Sequence, residues 1–196
     1  MRTPPTVLAA TCRFLGAAAL ALGAALPRPG TAADPAPQPP TLAVFDFELD
    51  DVSAGASPAG PAAADLATLK AVSERARQTL AQSGRYRLID TSGADDAPLR
   101  AHALRSCNGC EAAIAARLGA AQSLLGIITR VEKTQYAVSI RIRDAASGSL
   151  VDQQSALLLG SDDGWASGAA SVLRHRVLDR DYPTQMQPET APKPGG

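Results

Sequence analysis

The chain has 196 residues and balanced charge, with 19 lysines and arginines against 19 aspartates and glutamates. This balance gives no electrostatic reason to expect nucleic acid or an anionic membrane surface as a partner. Aromatic residues make up only 4% of the chain, which argues against a platform on which bases could stack. Composition therefore points away from nucleic-acid binding.

The first 33 residues have the pattern of a cleaved secretory signal. Arg2 supplies positive charge, no acidic residue precedes Asp34, and an apolar run covers residues 14–26. The run has the length of a signal core and is too short to span a bilayer. We predict cleavage after Ala33, a periplasmic mature protein and no transmembrane segment in that mature form. An uncleaved anchor helix and lipidation at Cys12 are the alternatives.

Proline content marks the borders of the folded region. Residues 34–40 contain four prolines, which predicts a linker. Residues 183–196 contain four prolines and end in two glycines, which predicts a disordered tail. The sequence therefore predicts one domain over residues 41–182.

The first half of this domain has the pattern of a β-α-β unit. A nearly continuous apolar run over residues 41–48 favours a strand that is covered on both faces. Apolar residues then recur at three- and four-residue steps, which predicts a helix from about residue 62 to 82. Residues 86–90 form a second short apolar strand. This spacing predicts that the two strands are parallel.

In the second half of the domain, the spacing of apolar residues changes from a helical to an alternating pattern. One or two helical turns in residues 99–105 and a helix from about residue 107 or 109 to 118 lead into three strands joined by short turns. These strands cover residues 124–131, 136–143 and 150–159, which predicts an antiparallel meander. A last helix follows Ser161, and Gly126 predicts a crowded backbone contact inside the meander.

The sequence therefore predicts a mixed α/β (α+β) fold in the order β-α-β-(α)-α-β-β-β-α. About five strands form a mixed sheet, and three to four helices pack on it.

Several segments together resemble a known periplasmic domain. They are Leu42–Phe47, Tyr86–Asp90, Ala115–Ala120 leading into Leu124–Ile128, and Val138–Asp144 before a Ser-Gly turn. This combination is similar to the α/β domain at the amino terminus of TolB and in curli-secretion and outer-membrane lipoprotein accessory proteins. The resemblance implies a role in protein contact.

The stretch Cys-Asn-Gly-Cys-Glu before Ala-Arg-Leu-Gly-Ala resembles, more closely, an uncharacterised family of secreted proteobacterial proteins, a domain of unknown function. Some members of that family sit beside periplasmic quinoprotein alcohol dehydrogenase systems, so the resemblance implies a possible association with such a system. The family provides no catalytic residues to transfer.

Cys107 and Cys110 are the sharpest chemical feature. Their spacing, in an oxidising compartment, predicts a disulfide, and their position at a helix start favours a thiolate. A structural clasp, a redox-active pair and a metal site are all open. Glu111 stands where the usual haem-attachment motif needs histidine. A metal site would also need His102 and His175, which lie on separate elements, so we predict no metal.

Three acidic residues are candidates for a binding crevice. Asp46 and Glu48 lie at the carboxyl end of the first strand, and Asp90 ends the second. In α/β sheets this edge often borders a ligand crevice. We predict that the three acids share one edge and bind a cation or a basic partner; solvated strand-end acids are the alternative.

Three arginines are candidates for an interface. Arg130, Arg141 and Arg143 lie on two strands of the meander, and we predict that they share one wet face. Such a face could contact an acidic partner, and a merely solvated face is the alternative.

No enzymatic motif is present in the sequence. Phosphate-binding glycine loops are absent, and Ser167 stands one position too late for a nucleophile elbow. We therefore predict a periplasmic, non-enzymatic accessory or binding protein without a cofactor, which contacts another periplasmic or envelope protein. A dithiol redox or metal-handling protein that uses Cys107 and Cys110 is the alternative, and a small-ligand carrier is a third.

Overall fold

A six-stranded mixed sheet with helices on both faces organises residues 38–180, which are the part of the chain described by this computed structural model. The predicted signal peptide and tail, with most of the linker, lie outside the described residues. The strands are β1 (Thr41–Val44), β2 (Glu48–Asp51), β3 (Arg87–Ile89), β4 (Gln122–Glu132), β5 (Gln135–Asp144) and β6 (Leu150–Leu159). The predicted α/β fold is confirmed, with six strands because the first predicted strand is divided in two.

Four α-helices accompany the sheet: α1 (Ala63–Ser83), α2 (Ala97–Arg100), α3 (Cys110–Arg117) and α4 (Trp165–Val172). A 3₁₀ turn over Leu104–Ser106 precedes α3, and π-helical turns over Leu173–Leu178 continue α4. Within residues 38–180, none of the helices combines the length and the apolar character needed to cross a bilayer.

The strand order is β3-β1-β4-β5-β6, and β2 pairs with β4 beyond the end of β1. β1 is parallel to both β3 and β4, and β4, β5 and β6 form an antiparallel meander. The parallel pair β1–β3 and the meander were predicted, because a helical crossover favours parallel strands and short turns favour antiparallel ones. The order leaves β6 at one edge of the sheet and β3 at the other.

Helix α1 forms because its first turn is capped and one stripe is apolar. The Asp65 carboxylate accepts the Ala62 backbone N–H at 3.0 Å, which satisfies a free donor at the helix start. Gly84 ends the helix in the left-handed conformation, with φ of 66°. Between these ends, Leu69, Val72, Ala76 and Leu80 are buried against the sheet, as the periodicity predicted.

Each face of the sheet carries its own core. The α1/α4 face, covered by α1 and α4, holds the larger apolar cluster, which reaches from Leu42 on β1 to Leu158 on β6. The α3 face, covered by α3 and the 3₁₀ turn, holds a smaller cluster around Phe45, Leu125 and Ile114. This smaller cluster includes residues of β1 and β4 and none of β5 or β6.

One extra residue divides the first predicted strand. Val44 pairs with Leu124, and Glu48 pairs with Ile127. Glu48 is four residues after Val44, but Ile127 is only three residues after Leu124, so the first strand contains one extra residue. Such a bulge reverses the faces of the residues that follow it. Its position between Val44 and Glu48 accounts for the orientation of the acidic residues at this end of the sheet.

Phe47 is the first residue affected by this bulge. Its ring lies in the α1/α4 core, and its backbone N–H, which leaves the strand pairing here, donates to Ser73 Oγ at 2.8 Å. A Cβ atom at Gly126 would approach this ring to 2.2 Å. The prediction of a crowded backbone contact at Gly126 is confirmed.

Candidate functional site

A cavity of about 600 Å³ lies where β1 and β3 end, between α1 and the segment around α2. All three predicted crevice residues, Asp46, Glu48 and Asp90, line it. Parallel strands place their carboxyl ends at one edge, which explains why residues distant in sequence meet here. The remaining charged or titratable side chains in its wall are Lys70, Glu74, Arg77 and His102. That the cavity binds a ligand stays a prediction.

Glu48 uses its carboxylate to hold the protein together. The side chain is only 2% exposed. Its Oε1 accepts the Leu104 backbone N–H at 2.7 Å, and its Oε2 accepts the Arg105 backbone N–H at 3.0 Å and Arg105 Nη1 at 3.3 Å. The expectation that Glu48 offers a free carboxylate to a ligand is therefore wrong, because the bulge turns it under the 3₁₀ turn.

Asp46 and Asp90 remain at the solvent side of the cavity. Arg77 Nη2 donates to Asp46 Oδ1 at 2.6 Å and to the Val44 carbonyl at 3.2 Å. The Ser92 backbone N–H and hydroxyl donate to the two oxygens of Asp90 at 2.9 and 2.8 Å. These hydrogen bonds, the backbone one first, hold the pKa of Asp90 below its ordinary value. The two carboxylates thus already have partners within the chain.

Cys107 and Cys110 lie side by side between the 3₁₀ turn and α3. Their Cα atoms are 5.7 Å apart and their sulfur atoms are within bonding distance, which fits a disulfide. The two residues between them, Asn108 and Gly109, adopt positive φ angles of 42° and 106°. Each cysteine is partly exposed, and each packs against the α3-face core.

Glu111, directly after the cysteine pair, is the second buried glutamate on this face. Its side chain is 1% exposed, and its Oε1 accepts Arg143 Nε at 3.1 Å. Its Oε2 is buried and receives no hydrogen bond from any residue in the described range 38–180. A carboxylate oxygen and the two cysteine sulfurs lie within 4.8 Å of one another.

Sequence reasoning considered Glu111 only as a departure from the haem-attachment motif. A signal for its burial was present, because Glu111, Ile114 and Leu118 follow one another at helical spacing. Glu111 therefore lies on the same inward stripe as two apolar residues.

Neither histidine approaches the cysteines closely enough to form the four-residue metal site considered from the sequence. Among residues 38–180, Cys107, Cys110 and Glu111 are the one group of at least three potential metal-ligating side chains, and no histidine belongs to it. His102 lines the cavity, and His175 is exposed on the π-helical turns, where its Nδ1 lies 3.0 Å from Asp179 Oδ2.

The three candidate interface arginines do not share a face. Arg130 lies opposite Tyr136, whose side chain is in the α1/α4 core, whereas Arg141 lies opposite Leu125 on the α3 face. Arg143, two residues after Arg141, is also on the α3 face, where it binds Glu111. The prediction that the three arginines lie on one face of the sheet is wrong. The sequence does not show which face a β4 residue lies on, because this depends on the strand register.

Arg130 is the centre of an ion cluster that the sequence did not reveal. Its guanidinium donates to Asp51 at 2.9 Å, to Asp162 at 3.0 Å and to Asp65, and it lies 4.9 Å from the ring centroid of Trp165. The side chain is 13% exposed. Arg130 is thus a structural residue at the rim of the α1/α4 face.

This cluster shifts the pKa of its members. Burial lowers the pKa of Arg130, but its hydrogen bonds with Asp65 and Asp51 outweigh burial and raise it above its ordinary value. Burial likewise raises the pKa of Asp51, and hydrogen bonds from Ser53 and Arg130 reverse this to a net lowering.

Comparison of the sequence with known families identifies its relationship. Residues 40–177 match the DUF3280 family, described as Protein of unknown function (DUF2380). The chain belongs to this family. The prediction that it falls in an uncharacterised family is confirmed, and the association with quinoprotein systems stays a prediction. No curated protein matches the sequence.

Several solved structures are similar to part of this chain at low sequence identity. The C-terminal domain of LpoB from Salmonella enterica has 15% identity and a TM-score of 0.44, over 64% of this chain and 87% of that one. Lipoprotein GNA1162 from Neisseria meningitidis has 13% identity and a TM-score of 0.44, over 71% and 99%. TolB from Acinetobacter baumannii has 15% identity and a TM-score of 0.42, over 69% of this chain and 27% of TolB.

Proposed function

We propose that the protein is an exported, non-enzymatic binding module whose edge strand β6 pairs with an extended segment of another envelope protein. The observation that carries this proposal is that β6 is a long edge strand with no lysine or proline, and that among residues 38–180 the one side chain outside β6 that donates to its backbone is Arg176, to the Ser155 carbonyl at 3.1 Å. An unprotected edge is a template for an added strand, whose main-chain hydrogen bonds supply affinity.

The charge pattern of β6 supports the proposal. Natural edge strands are commonly blocked by lysine, proline or short length. β6 has ten residues, no lysine and no proline, and its single charged residue is Asp152. Asp152 lies opposite Ile142 and is therefore directed to the α1/α4 face, where Arg180 approaches it to 3.7 Å. The β6 residues on the α3 face are all uncharged, so no charge there repels an added strand.

The apolar side chains of β6 support the same conclusion. Leu157 and Leu159 are 61% and 83% exposed. Leu157 lies opposite Ala137, on the α3 face, where the core leaves β5 and β6 uncovered. An added strand with alternating apolar residues would cover both leucines and complete this half of the face.

The location of the partner follows from the predicted export signal in residues 1–33. A partner in the envelope shares the compartment of the mature chain. We further propose that this partner belongs to a periplasmic quinoprotein dehydrogenase system, on the family resemblance stated above.

The test introduces charge on the edge and measures capture of the partner. The double variant Leu157→Lys/Leu159→Lys should reduce capture from envelope extracts by about tenfold, which corresponds to about 1.4 kcal/mol. The matched control is Val52→Lys/Leu66→Lys, which charges two exposed apolar residues away from β6 and should leave capture unchanged.

Two outcomes would contradict the proposal. Equal capture by the wild type and the β6 variant would show that the edge is not the contact. If sedimentation shows that the wild type is a dimer and the β6 variant a monomer, a second copy of this chain occupies the edge in place of another protein.

A further inference from the structure

The two buried glutamates of the α3 face differ in how many of their carboxylate oxygens accept hydrogen bonds. Both oxygens of Glu48 accept hydrogen bonds, from three donors in all. Glu111 is equally buried, yet among residues 38–180 only Arg143 donates to it, and its Oε2 receives nothing. Leaving a buried acceptor without a donor costs stability, and a structural clasp between two cysteines does not require a carboxylate.

The surroundings of the cysteine pair favour thiolate chemistry. Cys110 is the first residue of α3, whose free backbone N–H groups stabilise negative charge near the helix start. The guanidinium of Arg143 lies beside the loop between the cysteines, since a Cβ atom at Gly109 would be 3.8 Å from Arg143 Nε. Both cysteines are partly exposed, so an attacking thiol can approach a sulfur.

We propose that Cys107 and Cys110 form a thiol–disulfide exchange site in which the unpartnered oxygen of Glu111 carries the proton. The substrate class is the dithiol of another exported protein. This activity is independent of strand pairing at Leu157 and Leu159. Arg143, beside the cysteine loop, pairs with Leu150 at the start of β6, whereas the two leucines lie at the other end of that strand.

The first step forms a mixed disulfide. A thiol of the partner loses its proton to Glu111 Oε2, and its sulfur bonds to one sulfur of the pair. The Cys107–Cys110 bond breaks, and Glu111 returns the proton to the released sulfur. One carboxylate oxygen of Glu111 and the two sulfurs lie within 4.8 Å of one another, and one water molecule or rotation of the freed cysteine side chain can span this distance.

The second step releases the partner. Its remaining thiol passes its proton by the same route and attacks the mixed disulfide. The partner leaves as a disulfide, and both cysteines become thiols. Two electrons and two protons have moved from the partner dithiol to the pair. In reverse, the same path reduces a partner disulfide to its dithiol and re-forms the Cys107–Cys110 disulfide.

The experiment measures reduction of the oxidised mature protein by dithiothreitol, which stands in for the partner dithiol. Thiols are quenched by alkylation and counted by mass. Glu111→Gln keeps the size of the side chain and the acceptor for Arg143, and should slow reduction at neutral pH by at least about tenfold, the typical scale of a lost proton-transfer group. Glu132→Gln, a change of an exposed glutamate, should react at the wild-type rate.

The pH dependence separates proton transfer from a structural role. Without Glu111, the rate should rise with the thiolate fraction of dithiothreitol. The wild type should depend less steeply on pH, because Glu111 removes the proton during attack. Equal rates, or equal slopes for the wild type and Glu111→Gln, would overturn the proposal.

If Glu111→Gln does not fold, a measurement on the wild type alone still tests the proposal. Reduction should be slower in D₂O than in H₂O at matched thiolate fraction, because a proton moves as the sulfur–sulfur bond breaks. An identical rate in both solvents would also overturn the proposal. The variant Leu157→Lys/Leu159→Lys should show the wild-type rate, so the outcome is separate from that for strand pairing.

Discussion

The α1/α4 face and the α3 face bury different chemistry. The α1/α4 core extends from β1 to β6 and contains the larger side chains, including Phe47 and Trp165. The α3 core covers β1, β3 and β4 and includes no residue of β5 or β6, and on the same face lie both buried glutamates and the cysteine pair. We infer that the first face supplies most of the stability of the domain, and that the second tolerates polar burial and open strands because it serves contact and chemistry.

The largest expected effect is at the rim of the α1/α4 face. Arg130→Met should lower the free energy of unfolding by about 3 kcal/mol, because it leaves Asp51 and Asp65 without their cation in a partly buried position. Urea unfolding at neutral pH measures this value. A loss below about 1 kcal/mol would show that the cluster is only a surface salt bridge.

Acid should reduce the difference in stability between the wild type and Arg130→Met. The pKa of Asp51 is lower in the folded protein than its ordinary value, so its stabilisation is present above that ordinary value. As the pH falls through the lowered pKa of the folded state, the stabilisation is lost. In Arg130→Met the part of this lowering due to Arg130 is absent, so its stability should fall less steeply in acid than that of the wild type. Parallel curves of stability against pH would contradict this account.

The next effect tests the close approach inside the same face. Gly126→Ala should cost about 2 kcal/mol, because its Cβ overlaps the buried ring of Phe47 and the core has no room to shift it. Gly93→Ala is the control, since a Cβ there meets no atom within 4 Å. If both variants unfold at the same urea concentration, the core around Phe47 is looser than described.

On the α3 face, the cysteine pair should contribute less to stability. Replacing Cys107 and Cys110 by serine opens a loop of only a few residues, for which chain entropy accounts for about 1–2 kcal/mol. Thermal melting of the serine variant against the oxidised wild type measures the loss. A loss as large as that of Arg130→Met would identify the pair as a main structural clasp and reverse the comparison between the faces.

The smallest effect should be on the open part of the α3 face. Leu157→Lys should change stability by less than about 0.5 kcal/mol, because the side chain is largely exposed. The same urea titration measures it. A larger loss would mean that Leu157 is packed in the folded chain and is not available to a partner strand.

Elements that depend on local pattern could be predicted. The stripe of α1, the parallel pairing of β1 with β3 and the β4–β5–β6 meander all follow from apolar spacing and connection length. Gly126 was also identified as a crowded position, since glycine inside a strand often marks a close approach.

The orientation of the charged residues could not be predicted. The bulge before Glu48 directs that carboxylate to the α3 face, and an alternation count without the bulge placed it beside Asp46 as a free acid. Arg130, on β4, was assigned to the wrong face because its side depends on the strand pairing that places it opposite Tyr136. A shift of one residue reverses every side chain that follows it.

The sequence by itself determined the order of strands and helices, the membership of an uncharacterised family and the pairing of the two cysteines. The order of elements and the cysteine pairing follow from spacing along the chain, and the family follows from the resemblance of its motifs. Only the tertiary structure shows that the Glu48 carboxylate accepts hydrogen bonds within the chain and that β6 is an edge strand. It also shows that Glu111, beside the sulfurs, has one buried oxygen with no donor among residues 38–180. Burial and hydrogen-bond satisfaction depend on residues far apart in sequence, which only long-range packing brings together.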